Sequence, residues 1–396
     1  MSSPGDFVFV GIPGPGLDAG TAELLAASRP GGVVLFRRNL ETPEQLLSLV
    51  AALRAVLPAA ILAIDAEGGR VDRLAGIVGP APPPSLLARR PPVAAQRAGL
   101  WIARALRLFD LDLDLAPVVD LDSGETGNAL DGRYLGGRHP AVTRRARAFL
   151  RGLHAGGAGG CLKHFPGLGA AAEDTHHRTS VVGLGAAALG PHLKPYRALL
   201  PVAGAALVAH AVYPALDPEE RPASLSPPVI EGLLRGRLRC DGLVLSDDLE
   251  MEALAPWGEL AVRAEAAFAA GCDVVLACAT TAALPEIVAR LARPRHARRR
   301  REAARRLAAY RRRLRTLRWT SDSISLVRAA GAGANAAAAA AAAAAVDAAA
   351  AIAAGDAGAA AAADTAATAA ADPAARLAAV RGGLADLLRQ LEEDAG

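Results

Sequence analysis

The stretch Gly160 to His177 reads Gly-Cys-Leu-Lys-His-Phe-Pro-Gly-Leu-Gly-Ala-Ala-Ala-Glu-Asp-Thr-His-His and gathers Lys163, His164, Asp174 and His176 within a short span. An imidazole, with an ordinary pKa of about 6.5, can give and take a proton near neutral pH. A carboxylate two residues before it, as Asp174 is to His176, can orient the ring. Only two of the 44 basic residues are lysines, Lys163 and Lys194. A Lys kept against that arginine bias suggests a place for a compact ammonium rather than a planar guanidinium. By themselves Lys163 and His164 also fit a plain strand followed by a polar turn. A second source of chemistry is Ser246-Asp247-Asp248, where either carboxylate could act as a nucleophile or base.

The elements that must position these groups recur regularly. Apolar runs of strand length lie at Phe7 to Ile12, Val33 to Phe36, Ile61 to Asp65, Leu111 to Val119, Cys161 to Phe165, Ala206 to Val212, Leu243 to Ser246 and Asp273 to Cys278. Between them, stretches such as Pro43 to Leu57, Ala94 to Leu108, Ala141 to Ala155 and Glu259 to Ala270 repeat apolar residues at three and four, the helical spacing. Eight nearly all-apolar strands separated by helices predict an α/β fold with a parallel sheet closed as a (β/α)8 TIM-type barrel. A doubly wound open sheet is the alternative. In such a barrel the functional groups gather at the carboxyl ends of the strands. The runs here end in Asp65-Ala-Glu-Gly-Gly-Arg, lead into Asp120 and Arg133, and end in Lys163-His164, His210 and Ser246-Asp247-Asp248. Five such endings in register favour one convergent polar site.

These residues also carry a resemblance. Lys-His-Phe-Pro-Gly-x-Gly with Asp-Thr-His at 174 to 176, Asp-x-Glu-Gly-Gly-Arg-Val at 65 to 71 and Ser-Asp-Asp-Leu-x-Met at 246 to 251 resemble glycoside hydrolase family 3. The pattern is that of the single-domain bacterial β-N-acetylhexosaminidases of cell-wall recycling, over about residues 7 to 318. The resemblance implies Asp247 as nucleophile, His176 as general acid/base on a loop and Asp174 as its partner. It also implies Asp65, Arg73, Arg133, Lys163 and His164 as sugar-binding residues. Two departures stand out: Leu168 replaces the second histidine of the motif, and Ala170-Ala171 replaces a polar pair. These put the hydrogen bonding of the loop in question, along with the choice of aglycone.

Chemistry agrees with those roles. A retaining glycosidase needs a carboxylate to attack the anomeric carbon, and a second group to protonate the leaving oxygen and later deprotonate water. Asp248 could serve chemically as well as Asp247; only the motif register separates them. Glu67 and Asp72 read as ion-pair partners of Arg70 and Arg73, His177 as a solvated neighbour, and His210 as a hydrogen-bonded strand-end histidine. Met251, the only methionine after the initiator, is packing near the nucleophile or core filling. A metal held by His164, His176, His177 and His210 lacks a recognised ligand spacing, so neither metal nor cofactor is expected. The activity implied is retaining exo-β-N-acetylglucosaminidase action on muropeptide fragments. A phosphorylase is the nearest rival, and a sugar-binding scaffold that has lost catalysis is a rival of another class.

The 396 residues allow one large domain with an appendage, and a net charge of +4 implies no polyanionic partner by itself. Four cysteines without a Cys-x-x-Cys pair read as buried thiols. With no signal segment and no long uncharged apolar run, a cytoplasmic location is expected, with a small carbohydrate as partner and neither nucleic acid nor membrane. From Arg290 to Arg318 there are fourteen arginines with apolar residues at helical spacing, which predicts a last barrel helix with a basic outer face. The divisions expected are a catalytic domain over 1–320, an alanine-rich linker over 321–371, with ten consecutive alanines at Ala336 to Ala345, and an amphipathic helix over 372–396. Leu377, Val380, Leu384, Leu387, Leu388 and Leu391 give that helix an apolar stripe that must meet either the barrel wall or a second chain. The chain is expected to be a monomer, with this tail as the element that could pair two copies.

Overall fold

The computed structural model describes residues 3–124, 130–170, 180–331 and 373–393. Nine parallel strands are β1 Val8–Val10, β2 Gly32–Leu35, β3 Ile61–Ile64, β4 Leu113–Asp114, β5 Gly159–Gly160, β6 Leu162–Phe165, β7 Ala205–Val208, β8 Leu243–Asp248 and β9 Val274–Ala277. They are ordered β5-β4-β3-β2-β1-β9-β8-β7-β6. The two ends of that order, β5 and β6, are halves of one run interrupted only at Cys161, so the sheet closes on itself as an eight-staved barrel. The closing seam is hydrogen-bonded: Cys161 N donates to Ala116 O at 2.8 Å and Val119 N to Lys163 O at 2.9 Å. The expected strand Leu111 to Val119 is regular only over β4, and Pro117 beyond it has no N–H to give to a ladder.

The strands are apolar throughout, yet they alternate between two cores, as side chains on successive strand residues must. Phe9, Val34, Ile61, Ala63, Leu113, Leu207, Leu245 and Leu276 fill the barrel interior. Their neighbours Val8, Val10, Val33, Leu35, Leu62, Ile64, Val208 and Val244 face outward into the layer of helices. Those helices are α1 Ala19–Ser28, α2 Pro43–Val56, α3 Pro92–Leu108, α4 His139–Ala155, α5 Ala186–Ala203, α6 Leu260–Ala270, α7 Leu284–Ala292 and α8 Ala297–Gly331, with a π-helical turn Pro228–Arg237 between β7 and β8. Local sequence starts them: Thr42 accepts a hydrogen bond from Gln45 N to cap α2, whose first residue is Pro43.

α8 is not a wall helix with a basic outside. Its Leu307, Tyr310 and Leu314 belong to the interior core, so the helix plugs the amino-terminal end of the barrel. The Tyr310 hydroxyl donates to Gly160 O at 3.1 Å, and a Cβ at Gly159 would lie 2.4 Å from Leu314, which leaves no room for a side chain there. Many of its arginines turn inward. Arg299 and Arg306 meet the fully buried Asp273 at 2.6 and 3.1 Å, joined by Arg235 from the π-helical turn, and Arg311 meets Asp6 at 3.0 Å.

The carboxy-terminal helix α9, Pro373–Glu393, lies on the barrel wall, across α3 and the short helix Ala75–Val78. Val380, Leu384, Leu387 and Leu391 are buried there, each worth about 1.5–3 kcal/mol of apolar burial. Arg381 Nη2 donates to Ile77 O at 2.7 Å and Arg97 to Gln390 at 2.7 Å. Gly383 meets the Trp101 indole so closely that a Cβ would fall 2.1 Å from the ring. Of the two expected partners for this helix, the described contacts are with the barrel wall. The linker expected over 321–371 lies outside the described residues from 332 onward; residues up to Gly331 continue α8.

Candidate active site

The carboxyl ends of the staves bring the expected groups together. Asp65 follows β3, Lys163 and His164 sit within β6, and Asp247 and Asp248 end β8. Arg133 arrives from the long segment after β4 and is nearly buried. Lys163 Nζ lies 2.6 Å from Asp65 Oδ1 and 2.6 Å from Glu67 Oε1. Glu67 in turn takes a two-pronged bond from Arg133, Nε at 2.8 Å and Nη2 at 2.7 Å. The sequence suggested Arg70 and Arg73 as its partners; the fold instead gives it Arg133 and Lys163, because the hairpin Ala66–Gly68 with Val71–Asp72 turns Glu67 into the barrel mouth. Burial opposes the Glu67 charge, but Lys163 and Arg133 outweigh it and hold the carboxyl down to about 2. Lys163 is fully buried too, and Asp65 and Glu67 keep its ammonium above the ordinary lysine range despite that burial. This is the compact cation that the arginine bias of the chain had set apart.

His164 is fixed from both sides. Its Nδ1 lies 2.8 Å from Asp120 Oδ2 and its Nε2 3.3 Å from Arg133 Nη2. The buried Asp120 also accepts from His164 N at 3.1 Å and, through Oδ1, from Leu168 N at 2.7 Å. One carboxylate thus holds both the ring and the turn that follows it. Tyr213 supports the same turn by donating to Gly167 O at 2.9 Å. Arg73 is half-buried, and its Nε is buried without a hydrogen-bond partner among the described residues.

Asp247 and Asp248 differ in surroundings. Asp247 Oδ1 accepts from Asp248 N at 2.9 Å. Burial raises its carboxyl, but His210, His164, that N–H and Lys163 outweigh it and hold Asp247 below the usual carboxylate range. Asp248 Oδ1 is taken up by the backbone, from Glu250 N at 3.1 Å and Cys278 N at 3.2 Å, and burial with the nearby Glu250 and Asp247 charges pushes it up to about 6. Behind them His210 is buried, with Nδ1 2.7 Å from Ser224 Oγ and Nε2 2.8 Å from Asp248 O. Nε2–H donates to that carbonyl, and Nδ1 faces the serine hydroxyl, which can accept from it or donate to it. Met251 is half-buried and donates through N to Asp248 O, so its backbone closes the turn after β8.

His176, Asp174, Glu173 and His177 lie outside the described residues. Sequence reasoning missed three supports. Asp120 appeared only as a strand-end acid, Ser224 not at all, and Asp114 only as part of a strand. Asp114 is buried beneath the Lys163 cluster with one oxygen accepting from Ala66 N at 3.0 Å, and burial raises its carboxyl well above the usual range, with Asp65 and Glu67 adding to the effect. Asp72, expected to pair with arginine, accepts from the backbone of Leu74 at 3.2 Å and Ala81 at 2.9 Å, and burial lifts it to about 6. No group of three or more potential metal ligands occurs among the described residues.

Residues 12–309 match the glycosyl hydrolase family 3 N-terminal domain. The chain is similar to a β-hexosaminidase of Pseudomonas aeruginosa, 37% identical over 273 residues that span 67% of this chain and 80% of the relative. It is similar to one of Methylococcus capsulatus, 36% identical over 69% of this chain and 83% of the relative. Among solved structures it resembles a family 3 β-N-acetylglucosaminidase from Paenibacillus sp. str. FPU-7, with a TM-score of 0.75 and 30% identity over 82% of this chain and 67% of that one. It also resembles NagZ from Neisseria gonorrhoeae in complex with N-trifluoroacetyl-D-glucosamine, with a TM-score of 0.67 and 32% identity over 76% and 88%. The closed barrel, the charged cluster at its carboxyl face and these likenesses agree: the chain belongs to glycoside hydrolase family 3 and is a glycosidase.

Proposed function

We propose that this glycosidase is a retaining exo-β-N-acetylglucosaminidase in which Asp247 is the nucleophile and His176, oriented by Asp174, is the general acid/base. The observation that carries the reading is the unequal state of the two adjacent carboxylates. Asp247 is held ionised at the barrel mouth beside Lys163 and His164, whereas Asp248 is raised to about 6 and committed to two backbone N–H groups. Attack by Asp247 on the anomeric carbon forms a glycosyl ester, while the imidazolium of His176 gives its proton to the leaving oxygen. The neutral ring then takes a proton from water as water displaces Asp247, and two displacements preserve the β configuration. Asp65, Arg73, Arg133, Lys163 and His164 bind the sugar. The ammonium held between Asp65 and Glu67 supplies directed hydrogen bonds to its hydroxyls. The N-acetylglucosamine preference follows the relatives, and muropeptide fragments met in the cytoplasm are the natural substrates that the motif pattern suggests.

The test is hydrolysis of a nitrophenyl β-N-acetylglucosaminide by wild type and His176→Ala. A nitrophenolate leaves without a proton, so the variant should form the ester readily and then stall, giving a burst followed by slow turnover. Azide should speed the slow phase and yield the β-glycosyl azide. No activity in wild type would end the hexosaminidase reading. Equal loss on aryl and disaccharide substrates, without burst or azide rescue, would remove His176 from the acid/base role. Running wild type with and without phosphate separates hydrolysis from phosphorolysis by product.

A further inference from the structure

We propose that the carboxy-terminal helix α9 is a positioning element for the sugar site: docked on the outside of the barrel, it clamps the segment from Asp65 to Pro83, whose inner side presents Glu67 and Arg73. The role rests on the sugar-binding reading of that cluster. The match to the family domain ends at residue 309, and the staves close on themselves without α9. The contacts of the helix are local, chiefly with α3 and the four-residue helix Ala75–Val78. That short helix cannot stand by itself. A single turn costs more chain entropy than its few bonds return, and the last carbonyls of a helix find no partner within it. Arg381 meets the second need: its Nε and Nη2 both donate to Ile77 O, at 3.2 and 2.7 Å, and so place a cation at the carboxyl end of the turn. The far end of α9 is tied down by Arg90, which donates to Leu391 O, and by Arg97, which donates to Gln390 at 2.7 Å.

From the short helix the connection runs inward bond by bond. Ile77 N donates to Leu74 O at 2.8 Å, and Leu74 N and Ala81 N donate to the two carboxylate oxygens of Asp72 at 3.2 and 2.9 Å. Asp72 pairs with Ala66 across the hairpin, and the next residue, Arg73, donates through N to Asp65 O at 3.0 Å. The hairpin turn leans on the same segment: Gly69 N donates to Ala81 O at 3.1 Å, and a Cβ at Gly68 would fall 2.3 Å from Pro82 O. Three residues paired with two make too short a ribbon to hold its own shape. Its geometry is therefore set from both sides. Inside, Lys163 and Arg133 hold Glu67 at 2.6 and 2.7 Å; outside, the Leu74 to Pro83 segment supports it, with α9 fastened over that segment by Arg381. Releasing α9 frees the outer support, so the groups that grip the sugar lose their fixed spacing while Asp247, on β8, keeps its own.

The full chain carrying Leu384→Asp with Leu387→Asp, two buried positions of the docked face, tests this on a nitrophenyl β-N-acetylglucosaminide. KM should rise at least about threefold with kcat within about twofold of wild type, the split expected when sugar binding is lost and the chemical step is not. Arg381→Ala should move KM the same way by less, Arg381→Lys should recover part of the change, and Arg389→Ala, which loses only an exposed pair with Asp386, should match wild type. Hydrogen exchange supplies the second readout. The amides of Arg73, Ile77 and Ala81 should exchange faster in the double variant, while those of Leu207 and Leu245, in β7 and β8, stay protected. An active wild type with unchanged KM in the double variant, or unchanged exchange at those three amides, would overturn the positioning role and leave the sugar site standing. Loss of protection that spreads to β7 and β8 would overturn it too, by making α9 a support of the whole fold. A wild type inactive on this substrate would overturn the sugar-site reading and the positioning role together.

Discussion

Glu67→Gln isolates what the buried charge cluster contributes. The substitution keeps the shape but replaces one of the two accepting oxygens by an NH2 and removes the charge that faces Lys163 Nζ at 2.6 Å and Arg133 Nη2 at 2.7 Å. A carboxyl held near 2 rather than at its ordinary 4.5 corresponds to about 3 kcal/mol of preference for the charged folded form. That agrees with the ~3–5 kcal/mol lost when one partner of a buried pair is removed. The raised Lys163 value is the same interaction seen from its partner and adds nothing further. A barrel of roughly 320 residues gains about 0.7 kcal/mol/K of unfolding entropy, so Tm should fall by about 4 °C at pH 7. Because the folded value lies below the unfolded one, the contribution is whole above about pH 4.5 and is lost as pH falls toward 2; near pH 3 the gap should shrink to about 2 °C. Scanning calorimetry of both proteins at pH 7, 5 and 3 reads this directly. A gap below about 1 °C at pH 7, or one that does not narrow in acid, would show that Glu67 is not the charged centre of the cluster.

Asp247→Asn should abolish turnover with little change in Tm, while Asp248→Asn should stay active and be at least as stable at pH 7. A carboxyl raised to about 6 lowers stability as pH rises from its unfolded value near 4 through 6, and Asn removes that loss while keeping an acceptor for Glu250 N and Cys278 N. A dead Asp248→Asn with an active Asp247→Asn would reverse the assignment. His210→Ala removes the donor to Asp248 O and should lower kcat about tenfold or more with KM little changed, with partial recovery in His210→Gln; an effect confined to Tm would make His210 structural only. Gly383→Ala should raise the intrinsic helix propensity of α9 by about 1 kcal/mol and yet loosen its docking, since the new Cβ meets Trp101. Faster proteolytic release of the carboxy-terminal helix is the expected readout, and slower release would contradict it.

Period and strand-end chemistry made much of this legible. The eight apolar runs each became a stave, and Asp65, Lys163, His164 and Asp247 stand where runs that end in charge must put them. What could not be read was which charge meets which. Glu67 lies three residues from Arg70 but pairs with Arg133, 66 residues further on, because barrel closure brings the segment after β4 against the hairpin that follows β3. Asp120 gave no signal either. A single acid after an apolar run looks like any solvated strand end until the fold places His164 and Leu168 against it. The basic run was misplaced for a related reason. Helical spacing of leucines fixed that α8 buries a face, but burial against the interior of a barrel and burial against its wall leave the same pattern in sequence.

The placement of α8 ties the two ends of the molecule together. A wall helix needs one apolar stripe, whereas a plug must also satisfy the strand starts, whose carbonyls and acids point at it. Arginine answers that need with five donors on a long apolar stem. Arg299 and Arg306 close over Asp273, and Arg313 reaches the Val202 carbonyl. At the other end two buried cations are matched to carboxylates: Lys163 between Asp65 and Glu67, and Arg133 on Glu67. The composition bias and its exception therefore have one cause. Spread-out forks suit a rim of carbonyls, while the gap between Asp65 and Glu67 leaves room for an ammonium, and Lys163 is the residue at the barrel mouth where the two requirements diverge.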